Sequence, residues 1–451
     1  MSNFLEKFRA NKVVYSVFLL VTGTGFGHLI TFLLLPALTR YFSPHEFGNL
    51  ASYIAIIAIA SSIASLRFEI AIPLPIRKKI ALSLLVLSVL SALGVSLLAI
   101  PVIIFYSEVL EEVTGLNGWF LLIIPFGIFF SALFNALQYW FTRRKKFSLI
   151  AQTRITQSLS GNSVQLGSGF FDIPAGLLLG HLFYCSAGIF KMLISLIRDE
   201  YKALKALTKK NLAYSIKKYK QYPLLSTPEV FANNIGVQFP ILFISAYYLS
   251  EESGFLLLAM KVMQAPMALV GGSISQVFYS EVAELTQTED KKKLVERTLV
   301  ALLKIGVGPI LFVGIIAEPL FLVVFGNDWA RAGTLVSWCS IWFALQFVSS
   351  PISMIMHVQH KQKSMLILTL LGGVIRVFPV VFFAFYFNDF VAEVYAVTGA
   401  IFYFMCLYFF VNTIGFKARD LLGIFVRCLK FILPWVFFGF LIIIFLKWYG
   451  F

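Results

Sequence analysis

The residues able to do chemistry in this sequence are the few charges set inside long apolar runs. Six cations sit there, Arg67, Arg154, Lys191, Lys261, Lys304 and Arg376. With them are the acids Glu69, Glu229 and Glu318 and one mid-run histidine, His28. An ionisable group in lipid is expensive and normally faces a cavity or a partner, so each is a candidate for binding or ion transfer. Six cations against three acids leave the interior net positive. That suits an anionic substrate, such as a phosphate-bearing lipid headgroup, and suits a cationic drug poorly. Glu69, Glu229 and His28 are the candidates for H+ or Na+ coupling, and a paired or hydrogen-bonded packing role competes for each.

Depth separates the cations. Arg376 lies 13 residues past Lys363, about 20 Å along a helix within a hydrocarbon core of ~30 Å. Snorkelling from there is difficult, so a cavity is the expected home. On the same scale Arg67 lies roughly 15 Å in, Lys261 roughly 14 Å and Arg154 roughly 12 Å. Lys191 and Lys304 lie roughly 10 Å in, where snorkelling competes with a cavity role. Glu69 is two residues from Arg67, about 200° around a helix, so the two are not expected to pair.

Other chemistry finds no support. The cysteines Cys185, Cys339, Cys406 and Cys428 are single, sit in apolar runs and read as packing residues. No histidine cluster reads as a metal site. No phosphate-binding loop appears, so direct ATP use is not expected, and no cofactor is implied.

The elements that must position these charges follow from composition. Of 451 residues 59% are hydrophobic, 16% aromatic and only 13% charged. A soluble chain is about a quarter charged, so a water-soluble enzyme, a disordered chain and a nucleic-acid-binding domain are excluded. Spanning a bilayer takes about 20 apolar residues. The candidate spans are 12–39, 46–72, 80–105, 117–141, 148–169 and 174–197, then 223–248, 254–281, 297–325, 330–356, 364–387 and 391–414, and a last run at 429–446. The first run is too long for a signal-peptide core and reads as a retained helix. Long continuous runs exclude a large β-barrel.

The loops set orientation. With the N-terminus cytoplasmic, 28 of the 37 Lys and Arg fall in cytoplasmic segments, starting with Lys7 and Arg9. Only Arg40, Arg331 and Lys447 lie opposite, among acids such as Glu46, Glu252, Asp389 and Glu393. The positive-inside rule then puts the N-terminus in the cytoplasm. Tyr41, Tyr106, Trp119, Tyr139, Trp140, Trp329 and Trp448 lie near span ends and read as interfacial anchors.

The halves look related. PALTRYFSPHEFG (36–48) and PILFISAYYLSEESG (240–254) each end a helix in an acidic turn closed by Gly. Six helices per half give a parallel repeat about an axis along the membrane normal. The expected fold is all-α and polytopic, with a six-helix bundle over 1–197, a linker over 198–222, a second six-helix bundle over 223–415 and an extra helix over 416–451. The linker carries Leu204, Leu207, Leu212 and Ile216 among its lysines, and reads as an amphipathic helix on anionic lipid or as a solvated charged segment.

Several stretches, in order and at proper spacing, carry a resemblance. They include GTGFGHLITFLLLPALTRYFSPHEFGNL, SLRFEIAIPLP, YKQYPLLSTPEVFANN, GFLLLAMKVMQAPMALVGGSISQVFYSEVAEL and FGNDWARAGTLVSWCSIWFALQFVSSPIS. The sequence resembles the polysaccharide transporter (O-antigen flippase) family of the multidrug/oligosaccharidyl-lipid/polysaccharide exporter superfamily. The resemblance implies a V-shaped pair of bundles and alternating access. It also implies undecaprenyl-pyrophosphate-linked glycan as cargo, moved across the bacterial inner membrane for O-antigen, capsule or exopolysaccharide. Other polysaccharide-assembly membrane proteins are implied partners; nucleic acid is not. Arg67 lies in the matching SLRFE and Lys261 in LLLAMKVM, as a cationic lumen requires. The thirteenth span departs from the family's twelve. The competing readings are a drug/cation antiporter of the same superfamily and a membrane polysaccharide polymerase or glycosyltransferase.

Overall fold

The computed structural model describes residues 12–448, apart from 116–117, 248–249, 268–270, 272–273, 276–277, 279–280, 283–284, 286, 360 and 388–389. Lys7, Arg9 and Asp389, and the side chain of Trp119, therefore lie outside the described residues. The described chain is helical. Ten of its helices are long and apolar enough to cross a membrane, by length and composition. It is a multi-pass membrane protein, all-α as expected.

Two compact units emerge from packing. The first comprises residues 1–42 and Asn49–Leu242, the second Ser43–Gly48 and Phe243–Phe451. Residues 227–242 of the helix after the linker thus group with the first unit.

The first unit contains α1 (Lys12–Tyr41), most of α2 (Pro44–Ala64), α3 (Phe68–Ala71), α4 (Lys78–Phe105), α5 (Ser107–Thr114), α6 (Ile123–Arg143), α7 (Phe147–Phe170), α8 (Gly176–Ser186), α9 (Ile189–Lys205), α10 (Lys209–Lys218) and the body of α11 (Thr227–Tyr247). Its densest contact is α1 on α7, then α7 on α8. Small residues allow that approach, since a Cβ on Gly23 would collide with Ala151. The expected span 46–72 is broken. Leu66 and Arg67 both take left-handed φ, 49° and 58°, which ends α2 before the short α3 begins. Left-handed backbone at non-glycine residues costs on the order of 1–3 kcal/mol each and persists only where packing enforces it. Here Arg143, at the end of α6, donates to the carbonyls of Ile72, Pro73 and Ile76 and holds the loop that follows. The span 174–197 is likewise divided, at Gly188 with φ 77°.

The linker is divided between the end of α9 and α10, and its leucines are not left for lipid. Leu204, Leu207 and Leu212 pack against the core formed by α4, α6 and their neighbours. Ile216 stays exposed, as do Lys209, Lys210, Lys217 and Lys218.

The second unit contains α12 (Ser250–Pro266), α13 (Thr288–Leu302), α14 (Gly308–Phe325), α15 (Ala330–Ile352), α16 (Met354–Val358), α17 (Gln362–Tyr386), α18 (Val391–Asn412) and α19 (Ala418–Trp448). Helix α15 is its centre, packed by α12, α14 and α18. The thirteenth element is α19, longer than the run 429–446 and laid against α14. Gly48 and Gly254, which close the two acidic turns, allow close packing here: a Cβ on either would strike the backbone of Ser250 or Pro44. Trp140 and Trp329 are core residues and not interfacial anchors, each 1% exposed. Helix α2 opens with a reciprocal cap, in which Ser43 and Glu46 each satisfy the other's backbone N–H.

Candidate substrate-binding charges

In the first unit the cations are held by amides and one carboxylate. Arg154 projects from α7, where its Nη2 donates to Gln138 Oε1 on α6 at 2.8 Å. Its guanidinium lies 4.4 Å over the Phe134 ring, a cation–π contact that holds the charge without cancelling it. Lys191 Nζ donates to Gln152 Oε1 at 2.6 Å, with both side chains exposed. His28 is exposed on α1 and within electrostatic reach of Arg154.

Arg67 and Glu69 do pair, contrary to expectation. Arg67 Nη1 lies 3.4 Å from Glu69 Oε1. The helical-wheel argument fails because Arg67 is not helical: its left-handed backbone swings the side chain back over the next turn. Glu69 is buried, and Arg67 is 27% exposed at its side chain. Arg67 Nε and Glu69 Oε2 are buried without a hydrogen-bond partner.

A polar seam missed at the level of sequence runs beside this group. Ser158 Oγ donates to the Gly27 carbonyl at 2.6 Å and lies 3.0 Å from Thr31 Oγ1. Asn162 Nδ2 donates to Thr31 Oγ1 at 3.0 Å and to the Ser158 carbonyl at 2.6 Å. Gln157 and Asn162 are almost wholly buried, and each keeps one unpaired amide oxygen. The signal was the four-residue spacing of Ser158 and Asn162, facing the GTGFG stretch of α1.

In the second unit Arg376 is 3% exposed. It does not line an open cavity, the home its depth suggested. Its Nε donates to the Gly372 carbonyl one turn back, and its guanidinium lies 4.2 Å over the Phe402 ring. Tyr395, Tyr403 and Cys406 are within electrostatic reach. The neighbouring Trp342 ring stacks on Tyr403, and its Nε1 is buried without a partner. No described carboxylate reaches Arg376. Lys261 is half-buried on α12, and no described acid or acceptor reaches its ammonium. Lys304 is exposed and stacks 4.6 Å over Phe431 of α19.

Of the three expected buried acids only Glu69 is buried. Glu229 and Glu318 are both exposed, Glu229 because it lies in the first turn of α11. Three further buried acids lie elsewhere. Glu252 and Glu393, at the starts of α12 and α18, both engage Arg331 at the start of α15, at 2.6 Å each. In the first unit Glu200 is fully buried against Lys78 and Arg144. Their positions near span ends conceal these pairings in the sequence. All four cysteines are buried free thiols. Among the described residues no group of His, Cys, Asp or Glu is placed to hold a metal.

Comparisons with known proteins agree with this architecture. The solved structure of the lipid II flippase MurJ, in an inward closed conformation, matches with a TM-score of 0.71 at 16% identity, over 95% of this chain and 98% of that one. A mutant of the Vibrio cholerae MATE transporter VcmN matches with a TM-score of 0.55 at 11% identity, over 88% and 96%. A transporter of the same superfamily from Pyrococcus furiosus, described for the reverse polarity of its binding pocket, matches with a TM-score of 0.52 at 12% identity, over 89% and 95%. At these identities the likeness is one of fold. No curated protein matches the sequence. A family model described as polysaccharide biosynthesis protein matches residues 37–334. That match covers well over half of the chain, which therefore belongs to the polysaccharide biosynthesis protein family.

Proposed function

We propose that this chain is a flippase for lipid-linked oligosaccharide, carrying undecaprenyl-pyrophosphate-linked repeat units across the bacterial inner membrane by alternating access. Its products would feed O-antigen, capsule or exopolysaccharide synthesis. One observation supports the reading above others: Arg154 and Arg376, deep in separate units, are fixed by amide, carbonyl and ring contacts with no carboxylate on either. A cation so held keeps its charge for an anion, and a pyrophosphate is the densest charge on such a cargo. Lys261, without a described partner, belongs to the same group. Arg67 joins it when Glu69 is protonated, which makes Glu69 the residue proposed to couple transport to H+. The N-terminus is proposed to be cytoplasmic on the strength of loop charge. The chain is proposed to act as a carrier and not as an enzyme.

The test is complementation of a deletion strain. Charge reversal at Arg67, Arg154, Lys261 and Arg376 together should abolish surface polysaccharide while the protein still reaches the membrane. Normal polysaccharide from that variant would overturn the proposal. Drug resistance conferred on a sensitive host would favour the antiporter instead.

A further inference from the structure

Where α19 meets the turn that leads into α14 there is an arrangement that the transport reading does not use. Phe431 is capped by two ammonium groups, Lys304 Nζ at 4.6 Å and Lys430 Nζ at 5.4 Å from the ring centroid. Lys304 is presented by a π-turn, Leu303–Val307, that interrupts the helix between α13 and α14; such turns recur at functional sites. The other charges nearby are Arg427 and Glu296, and these are spent on each other at 2.7 Å. The two lysines thus share one ring with no described acid between them. An anion held by both ammonium groups would balance their charge.

Below the lysines runs an apolar groove. It is open, with a volume of about 620 Å³, and is lined by Lys430, Leu433, Pro434, Val436, Phe437 and Phe440, all on α19. Lys430, Leu433, Pro434 and Phe437 follow the i, i+3, i+4, i+7 pattern and form one stripe of the helix. Pro434 cannot donate to the Lys430 carbonyl, so the ladder opens at the top of the groove. The lining is almost entirely carbon, and Phe437 and Phe440 are 65% and 54% exposed. Two ammonium groups beside an open apolar stripe suit the phosphate and acyl chain of a phospholipid.

We propose that this face binds an anionic glycerophospholipid of the surrounding bilayer, its phosphate on Lys304 and Lys430 and one acyl chain along Leu433, Pro434, Phe437 and Phe440. The site lies wholly in the second unit and is independent of the proposed cargo.

The test is native mass spectrometry of the full chain released from detergent with phosphatidylglycerol, phosphatidylcholine or inorganic phosphate. Wild type should retain phosphatidylglycerol over phosphatidylcholine by about 25-fold, since each of the two lysines at an anionic surface contributes about fivefold. K304Q with K430Q should remove that preference, K304R with K430R should keep it, and F437S with F440S should weaken retention of both lipids. Equal retention of the two lipids by wild type would overturn the proposal. So would an unchanged preference in the glutamine variant. Displacement of the lipid by millimolar phosphate would assign the lysines to a free anion and overturn it, as would a dimer occupying this face in place of lipid.

Discussion

Two arginines of the second unit are treated in opposite ways. Arg331, at the start of α15, is clamped by Glu252 and Glu393, two carboxylates for one guanidinium. Arg376, in the middle of α17, has one backbone carbonyl and an aromatic ring. Both are cations in an apolar chain, yet the first is cancelled and the second is not. Neutralised charge ties helix starts together; charge left uncancelled at a cost in solvation is what an anion can use. Arg154 and its Gln138 repeat the Arg376 pattern in the first unit, while Glu200 between Lys78 and Arg144 repeats the clamp with the signs exchanged.

The contrast can be broken by substitution. Arg331→Gln would strand two buried carboxylates and should cost on the order of 3 kcal/mol. Thermal unfolding in detergent reads this, and an unchanged midpoint would remove the clamp from the account. Asn162→Ala should come next, at about 1–2 kcal/mol, because Thr31 and the Ser158 carbonyl both lose their donor. The same melts apply, and a cost confined to transport would make the seam a binding feature instead. Gln138→Ala should cost about 1 kcal/mol and loosen Arg154. Its mark is a few-fold fall in transport rate with the cation still present. Smallest of all, Lys209→Gln with Lys210→Gln should move stability by less than ~0.5 kcal/mol. Leu212→Ala beside them should cost more, because its side chain packs on the protein core.

Much of this was legible in the sequence, for reasons that also explain the misses. Long apolar runs such as 80–105, 364–387 and 391–414 recur almost unchanged as α4, α17 and α18, because hydrophobic length alone decides a span. The break at Leu66 and Arg67 gave no warning. Left-handed backbone is usually announced by glycine, and neither Leu66 nor Arg67 is one. That break is why Arg67 and Glu69 meet. The stripe in the linker was recognised, but periodicity cannot say whether lipid or protein covers it; Leu204, Leu207 and Leu212 found protein. Glu252 and Glu393 read only as acids on the outer side because their partner, Arg331, is distant in sequence from both. Arg376 lies well inside its span by residue count, but Phe402, which closes over it, comes from another helix and leaves no mark in that spacing.

The central claim is that charge without a carboxylate serves cargo and not stability. Arg376→Met tests it most directly, because it keeps the volume and removes the charge. Translocation of a labelled lipid-linked oligosaccharide should be measured in proteoliposomes alongside thermal unfolding of the same preparation. Replacing a buried charge by a matched apolar side chain is often neutral or stabilising. The account therefore predicts a midpoint equal to or above wild type and a translocation rate lower by at least about tenfold, or ~1.4 kcal/mol. Translocation at the wild-type rate, or a loss of rate accompanied by a matching loss of stability, would contradict it.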